Sequence, residues 1–142
     1  MKDLIQKLVE TASPSGYEAN VRAVIQEAIS AHVDEIKIDN LGNLIARKGE
    51  KSEKGKTILL AAHMDEIGVM VTHVDENGFA RFTKLGYVYP RNTAGGRVRF
   101  LNGAVGVIGM EPHSNIHSVP DLEKMFIDFG VSSAKDCPAE IG

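Results

Sequence analysis

Thr57-Ile58-Leu59-Leu60-Ala61-Ala62-His63-Met64-Asp65-Glu66-Ile67-Gly68 is the stretch whose reading decides the fold. Its first six residues are the most apolar strand candidate in the sequence. They lack alternation between polar and apolar positions, so both faces are expected to be covered, as in a central strand of an α/β sheet. The run leads straight into His63-x-Asp65, and open α/β sheets place their sites beyond the carboxyl ends of the strands. In an extended backbone, residues two apart point the same way. Asp65 can then accept the imidazole N–H, fix the tautomer and present the other ring nitrogen to a metal. The same residues also read as a strand-end histidine satisfied by its carboxylate with no metal, and His-x-Asp spacing alone does not decide between the two. One imidazole does not make a hydrolytic centre, since catalytic zinc takes about three protein ligands and an open position.

Upstream, Leu4, Ile5, Leu8, Val9 and Ala12 recur at helical spacing, as do Val21, Val24, Ile25, Ala28 and Ile29. Ser13-Pro14-Ser15-Gly16 separates the two predicted helices. Ser15 and Glu18 have capping-box spacing, so the segment reads as a helix–turn–helix corner. Ile36 and Ile38 alternate with charged residues, Asn40-Leu41-Gly42-Asn43 reads as a turn, and residues 44–47 as the return strand of a hairpin. Residues 49–56 form a charged, glycine-bounded connection.

After Gly68 short β-rich runs alternate with turns. Strands are expected over 69–74, 79–84, 97–100 and 104–110, with turns at 75–78 and 101–103. Tyr87, Val88, Tyr89 and Pro90 fall in a loop and are candidates for a subunit contact. Helical character returns at 121–124, a strand follows at 125–129, and Ser132 and Ser133 are placed to cap a last helix that begins near Ala134 and runs towards Gly142. This half has the pattern of a small barrel or sandwich. The expected division is therefore an α/β part, 1–67, and a β-rich part, 68–142.

Composition limits the function classes. Of 142 residues, 43% are hydrophobic and 25% charged, which suits a globular chain with a core of reasonable size. The net charge of −3, with both signs interspersed, argues against a nucleic-acid surface. No apolar stretch approaches the roughly 20 residues that cross a bilayer, so no membrane role is expected. Cys137 is the single cysteine, which excludes an internal disulfide and suits a reducing, cytoplasmic setting. Its neighbourhood gives no sign of a nucleophile. His113 and His117 are four apart but lie between Pro112 and Pro120, so a polar loop is expected there rather than a metal-binding helix face. His32 and His73 read as structural or solvated residues, and Arg81, Lys84, Arg91, Arg97 and Arg99 as a solvated strand face.

Residues 61–71 also closely resemble the first metal motif of the glutamyl and tetrahedral aminopeptidase family of dinuclear metallopeptidases. Other segments match in the same order. Ser13–Glu18 resembles the family's N-terminal corner, and Asp39 with Gly42-Asn43-Leu44-Ile45 its hairpin. Gly106-Val107-Ile108-Gly109 resembles part of its β domain. Ile127-Asp128-Phe129-Gly130 followed by Ser132-Ser133 resembles the segment leaving that domain.

The resemblance implies an α/β zinc-peptidase domain interrupted by a small β-rich, PDZ-like dimerisation domain, with the break near Gly68. It implies that His63 is a ligand to one ion of a zinc or cobalt pair and that Asp65 orients it. It further implies hydrolysis of N-terminal residues from short peptide substrates, within a homo-oligomer. The family's remaining ligands and its general-base glutamate follow the β domain, so only His63 and Asp65 carry over. Glu66 and Asp75 have no support as substitutes. The expectation is a truncated portion, inactive alone. The competing expectation is a non-catalytic assembly or binding module derived from such an enzyme.

Overall fold

The structure is a computed structural model that describes residues 1–50, 52–113 and 117–141. Lys51 of the charged connection, residues 114–116 of the histidine loop and the final Gly142 lie outside the described residues. The chain forms two compact units, Met1–Glu66 and Ile67–Gly142. Among the described residues no helix is long and apolar enough to cross a membrane.

The first unit holds two helices and a hairpin. Helix α1 spans Lys2–Glu10, with Asp3 in its first turn and Lys7 in its last, both favourable to the helix dipole. Helix α2 spans Ala19–Ile29, and Lys7 of α1 pairs with Glu27 of α2 at 2.7 Å. Strands β1, Glu35–Ile38, and β2, Leu44–Arg47, pair antiparallel with Ile38 opposite Leu44. Asp39 shapes their turn. Its carboxylate accepts the N–H groups of Leu41 and Asn43 and the Asn43 side-chain amide, at 2.8–3.0 Å. Gly42 takes a φ of 86°, which a residue with a Cβ adopts only under strain. The Arg22 guanidinium donates to its carbonyl at 2.6 Å.

Two expectations fail in this unit. Residues 57–62 form no strand, and Ile58, Leu59 and Leu60 are 82%, 86% and 91% exposed rather than covered. A strand exists only through its ladder, and β1 and β2 pair with each other alone, so the described residues offer this run no partner. The capping box is also absent. Helix α2 begins at Ala19 with Glu18 as its N-cap, which puts Ser15 three residues too early. Ser13 serves instead. Its side-chain oxygen accepts the Val21 N–H at 3.2 Å, and Glu18 reaches back to the Gly16 N–H at 2.6 Å.

The second unit is a five-stranded antiparallel sheet in the order β3-β4-β7-β6-β5. The strands are β3, Gly68–Val74; β4, Ala80–Leu85; β5, Arg97–Arg99; β6, Val105–Met110; and β7, Met125–Asp128. Beta-branched and aromatic residues favour these strands; β5 alternates polar with apolar positions, whereas β6 carries no polar side chain. Among the described residues the sheet keeps two edges, β3 and β5, and forms neither the closed barrel nor the two-sheet sandwich that the pattern suggests. Val71, Ala80, Phe82, Ile108, Met125 and Ile127 form the buried core, with Ala94, Leu122 and Ala139 from the connections packed against it. Among the described residues these segments, not a second sheet, do the covering.

Pro90–Thr93 is one helical turn, α3, with proline at its start, where sequence reading gives only loop. The expected last helix is a single 3-10 turn, Ala134–Asp136. Ser133 precedes it and bonds the Asp136 carboxylate at 2.7 Å. At Gly78, φ is 88° and a Cβ would sit 2.9 Å from the Ser133 carbonyl oxygen.

Gly106 tests this packing. An added Cβ would press into the Ile127 side chain and sit 3.1 Å from the Phe129 ring and 3.2 Å from the Asp128 carbonyl oxygen. Gly106→Ala is expected to lower unfolding free energy by about 1–3 kcal/mol through overpacking, as read from urea denaturation. An unchanged midpoint would contradict the register of β6 against β7.

Candidate functional site

The site lies in the first unit, where residues 63–66 meet the corner between α1 and α2. The His63 side chain is 86% exposed. Its Nδ1 lies 3.1 Å from the Asp65 carboxylate Oδ1 and 3.0 Å from the Asp65 carbonyl oxygen, which leaves Nε2 directed to solvent. An N–H on Nδ1 satisfies both contacts, so the lone pair falls on Nε2. The second Asp65 oxygen, Oδ2, accepts the Ser15 hydroxyl at 2.5 Å.

Two backbone links hold the corner against this stretch. The Ser13 N–H donates to the Glu66 carboxylate at 2.8 Å. The Glu66 N–H donates to the Ser13 carbonyl at 3.0 Å, beside a parallel bridge between Pro14 and Glu66. Ser13 is 1% exposed. A cleft of about 270 Å³ opens here, lined by Leu8, Val9, Val21 and Ile25 from the helices and by His63–Glu66 from the other side.

The Ser15 hydroxyl, and after it the His63 imidazole, hold the Asp65 carboxyl below the usual aspartate value of 3.8. Both hydrogen bonds favour the charged form more than partial burial disfavours it. A carboxylate depressed in the folded state adds stability that is full above its unfolded value and fades as pH falls through its folded value.

The sequence therefore places His63 and Asp65 together, as the structure does, but it misses Ser13, Ser15 and Glu66 as their supports. No local spacing reveals links between residues about 50 positions apart. The other histidines are elsewhere. His32 and His73 are exposed, and the two ring nitrogens of His113 face the carbonyls of Glu111 and Ser118, at 3.2 and 2.8 Å. Asp75 shapes a turn, accepting the N–H groups of Asn77 and Phe79. Cys137 is partly buried. Among the described residues no three His, Cys, Asp or Glu side chains are grouped to hold an ion.

Two outcomes follow from this geometry. Ser13→Ala removes the acceptor at the start of α2 and is expected to cost about 0.5–2 kcal/mol, as loss of a cap does. Unchanged protection of the Val21 amide in hydrogen exchange would contradict it. In carboxyl-detected NMR titration of the metal-free chain, Asp65 is expected to protonate below 3.8, and titration above that value would contradict the double hydrogen bond.

Comparison with known proteins gives a consistent picture. The family model described as M42 glutamyl aminopeptidase matches residues 42–141. A protein of Acetivibrio thermocellus is 46% identical over 136 residues, covering 96% of this chain and 40% of the relative. The lysyl aminopeptidase of Pyrococcus furiosus is 33% identical over 146 residues, covering 94% of this chain and 41% of that enzyme. The TET1 peptidase of Pyrococcus horikoshii, which can assemble into a tetrahedron or a large octahedral shell, superposes with a TM-score of 0.83. That match is 32% identical and covers 99% of this chain and 44% of that one. The chain thus spans about two-fifths of the length of the curated relatives it matches.

Proposed function

We propose, because the chain belongs to the M42 glutamyl aminopeptidase family, that it contributes His63 to the metal centre of an aminopeptidase that removes N-terminal residues from short peptides. One observation carries this reading. Asp65 engages Nδ1 of His63, and the ring's Nε2 stands free at a cleft mouth. A metal-ligating histidine ordinarily gives its other ring N–H to a carboxylate in this way. The residues present therefore fit one ligand position. The rest of the donor set is not grouped among the described residues, and a catalytic zinc takes about three protein ligands. The 142 residues alone are accordingly read as binding an ion weakly and as inactive by themselves.

When bound, a pair of divalent ions, zinc or cobalt, supplies polarisation of the scissile carbonyl and lowers the pKa of a water. The chain's own part is narrower. His63 offers Nε2, and Asp65 holds the Nδ1 proton and sets the ring plane. Met1–Glu66 is read as part of the catalytic α/β domain, and the sheet-bearing unit as an inserted PDZ-like dimerisation domain. Support for a homo-oligomer comes from Tyr87 and Tyr89, which are 81% and 61% exposed, and from the assemblies described for the Pyrococcus horikoshii peptidase. The single cysteine suits a reducing cytoplasm.

Calorimetric titration with zinc tests the reading. His63→Ala is expected to weaken binding by at least about tenfold. Equal affinity in the two proteins would contradict it.

A further inference from the structure

Both oxygens of the Asp65 carboxylate are engaged, one by His63 and the other by Ser15. A carboxylate held at one oxygen still swings about its side-chain bonds. A second anchor at 2.5 Å stops that motion. The anchor is itself fixed on both sides. The Tyr17 N–H closes the corner onto the Pro14 carbonyl at 2.8 Å, and the Gly16 N–H is taken by Glu18 at 2.6 Å. The paired bonds between Ser13 and Glu66 then register the corner against the residue that follows Asp65. A corner that merely joined two helices would need none of these links to residues 65 and 66.

We infer that Ser15 is a positioning residue: its hydroxyl locks the Asp65 carboxylate in the orientation that keeps the His63 proton on Nδ1 and the Nε2 lone pair exposed. Its consequence for metal binding rests on the proposed ligand role of His63, while the effect on the ring proton does not. Without the hydroxyl, the Asp65 carboxylate gains rotational freedom and its share of the grip on Nδ1–H weakens, leaving the Asp65 carbonyl oxygen at 3.0 Å as the acceptor that remains. The neutral imidazole then returns towards the Nε2–H form that it favours in water, which has no lone pair at Nε2 to offer.

The experiment uses the 142-residue chain, nitrogen-15 labelled on histidine, at a pH where the ring is neutral. Long-range proton–nitrogen spectra read the tautomer of His63, and titration with zinc alone, followed on the same ring, reads its affinity. Wild type is expected to be mainly Nδ1–H. Ser15→Ala is expected to shift the ring towards Nε2–H and to weaken the zinc response of His63 by about tenfold, the scale of lost outer partners at metal sites. Ser15→Thr, which keeps the hydroxyl, is expected to restore both readouts. Backbone amide shifts of Ser13 and Val21 report that the corner remains folded.

An unchanged tautomer in Ser15→Ala, with the corner intact, overturns the inference. So does failure of Ser15→Thr to restore it. A tautomer that depends on Ser15 in a chain whose His63 ignores zinc supports the positioning role and contradicts the metal reading instead.

Discussion

A carboxylate shared between a hydroxyl and an imidazole sets the character of this protein's candidate site. Asp65 takes the Ser15 hydroxyl on one oxygen and the His63 ring on the other. The Ser15 bond keeps the carboxylate from swinging, and the carboxylate and carbonyl oxygens of Asp65 together hold the ring. Together they make an exposed side chain directional, since the lone pair of His63 points where the backbone of residues 13–16 and 63–66 aims it. The ring is not held by burial, being 86% exposed, so hydrogen bonding is what gives it orientation.

Stability and function are divided differently between the two units. The sheet-bearing unit has a core of its own around Val71, Phe82, Ile108, Met125 and Ile127. Among its described residues the first unit buries little beyond Val21 and Ser13. Its order comes from polar links: the Asp39 turn, the Ser13 cap and the Glu66 pairing. That unit also exposes Ile58, Leu59 and Leu60, consecutive apolar residues that water solvates poorly. Such a run fits a piece of a larger sheet, in keeping with relatives more than twice as long.

Local patterns were legible where local forces decide. The hairpin around Gly42 and the strand series from Gly68 to Asp128 follow from turn residues and alternation, and the structure has them within a residue or two. Residues 57–62 were misread because an apolar run states a preference for burial, while strand formation depends on a neighbour elsewhere in the chain. Ser15 was misread for a related reason. Its spacing to Glu18 matches a capping box, yet the hydroxyl has a stronger acceptor in the ionised Asp65, which lies about 50 positions away. The contact between His63 and Asp65 was legible because it is local. Their supports were not, because those links exist only once the corner folds against residues 63–66.

Crystallography of zinc-soaked protein, with anomalous scattering recorded at the zinc edge, decides whether the exposed nitrogen of His63 takes an ion. A peak is expected about 2.0–2.1 Å from Nε2 of His63, with Nδ1 still facing Asp65. A peak at Nδ1, or zinc elsewhere with none at His63, would contradict it.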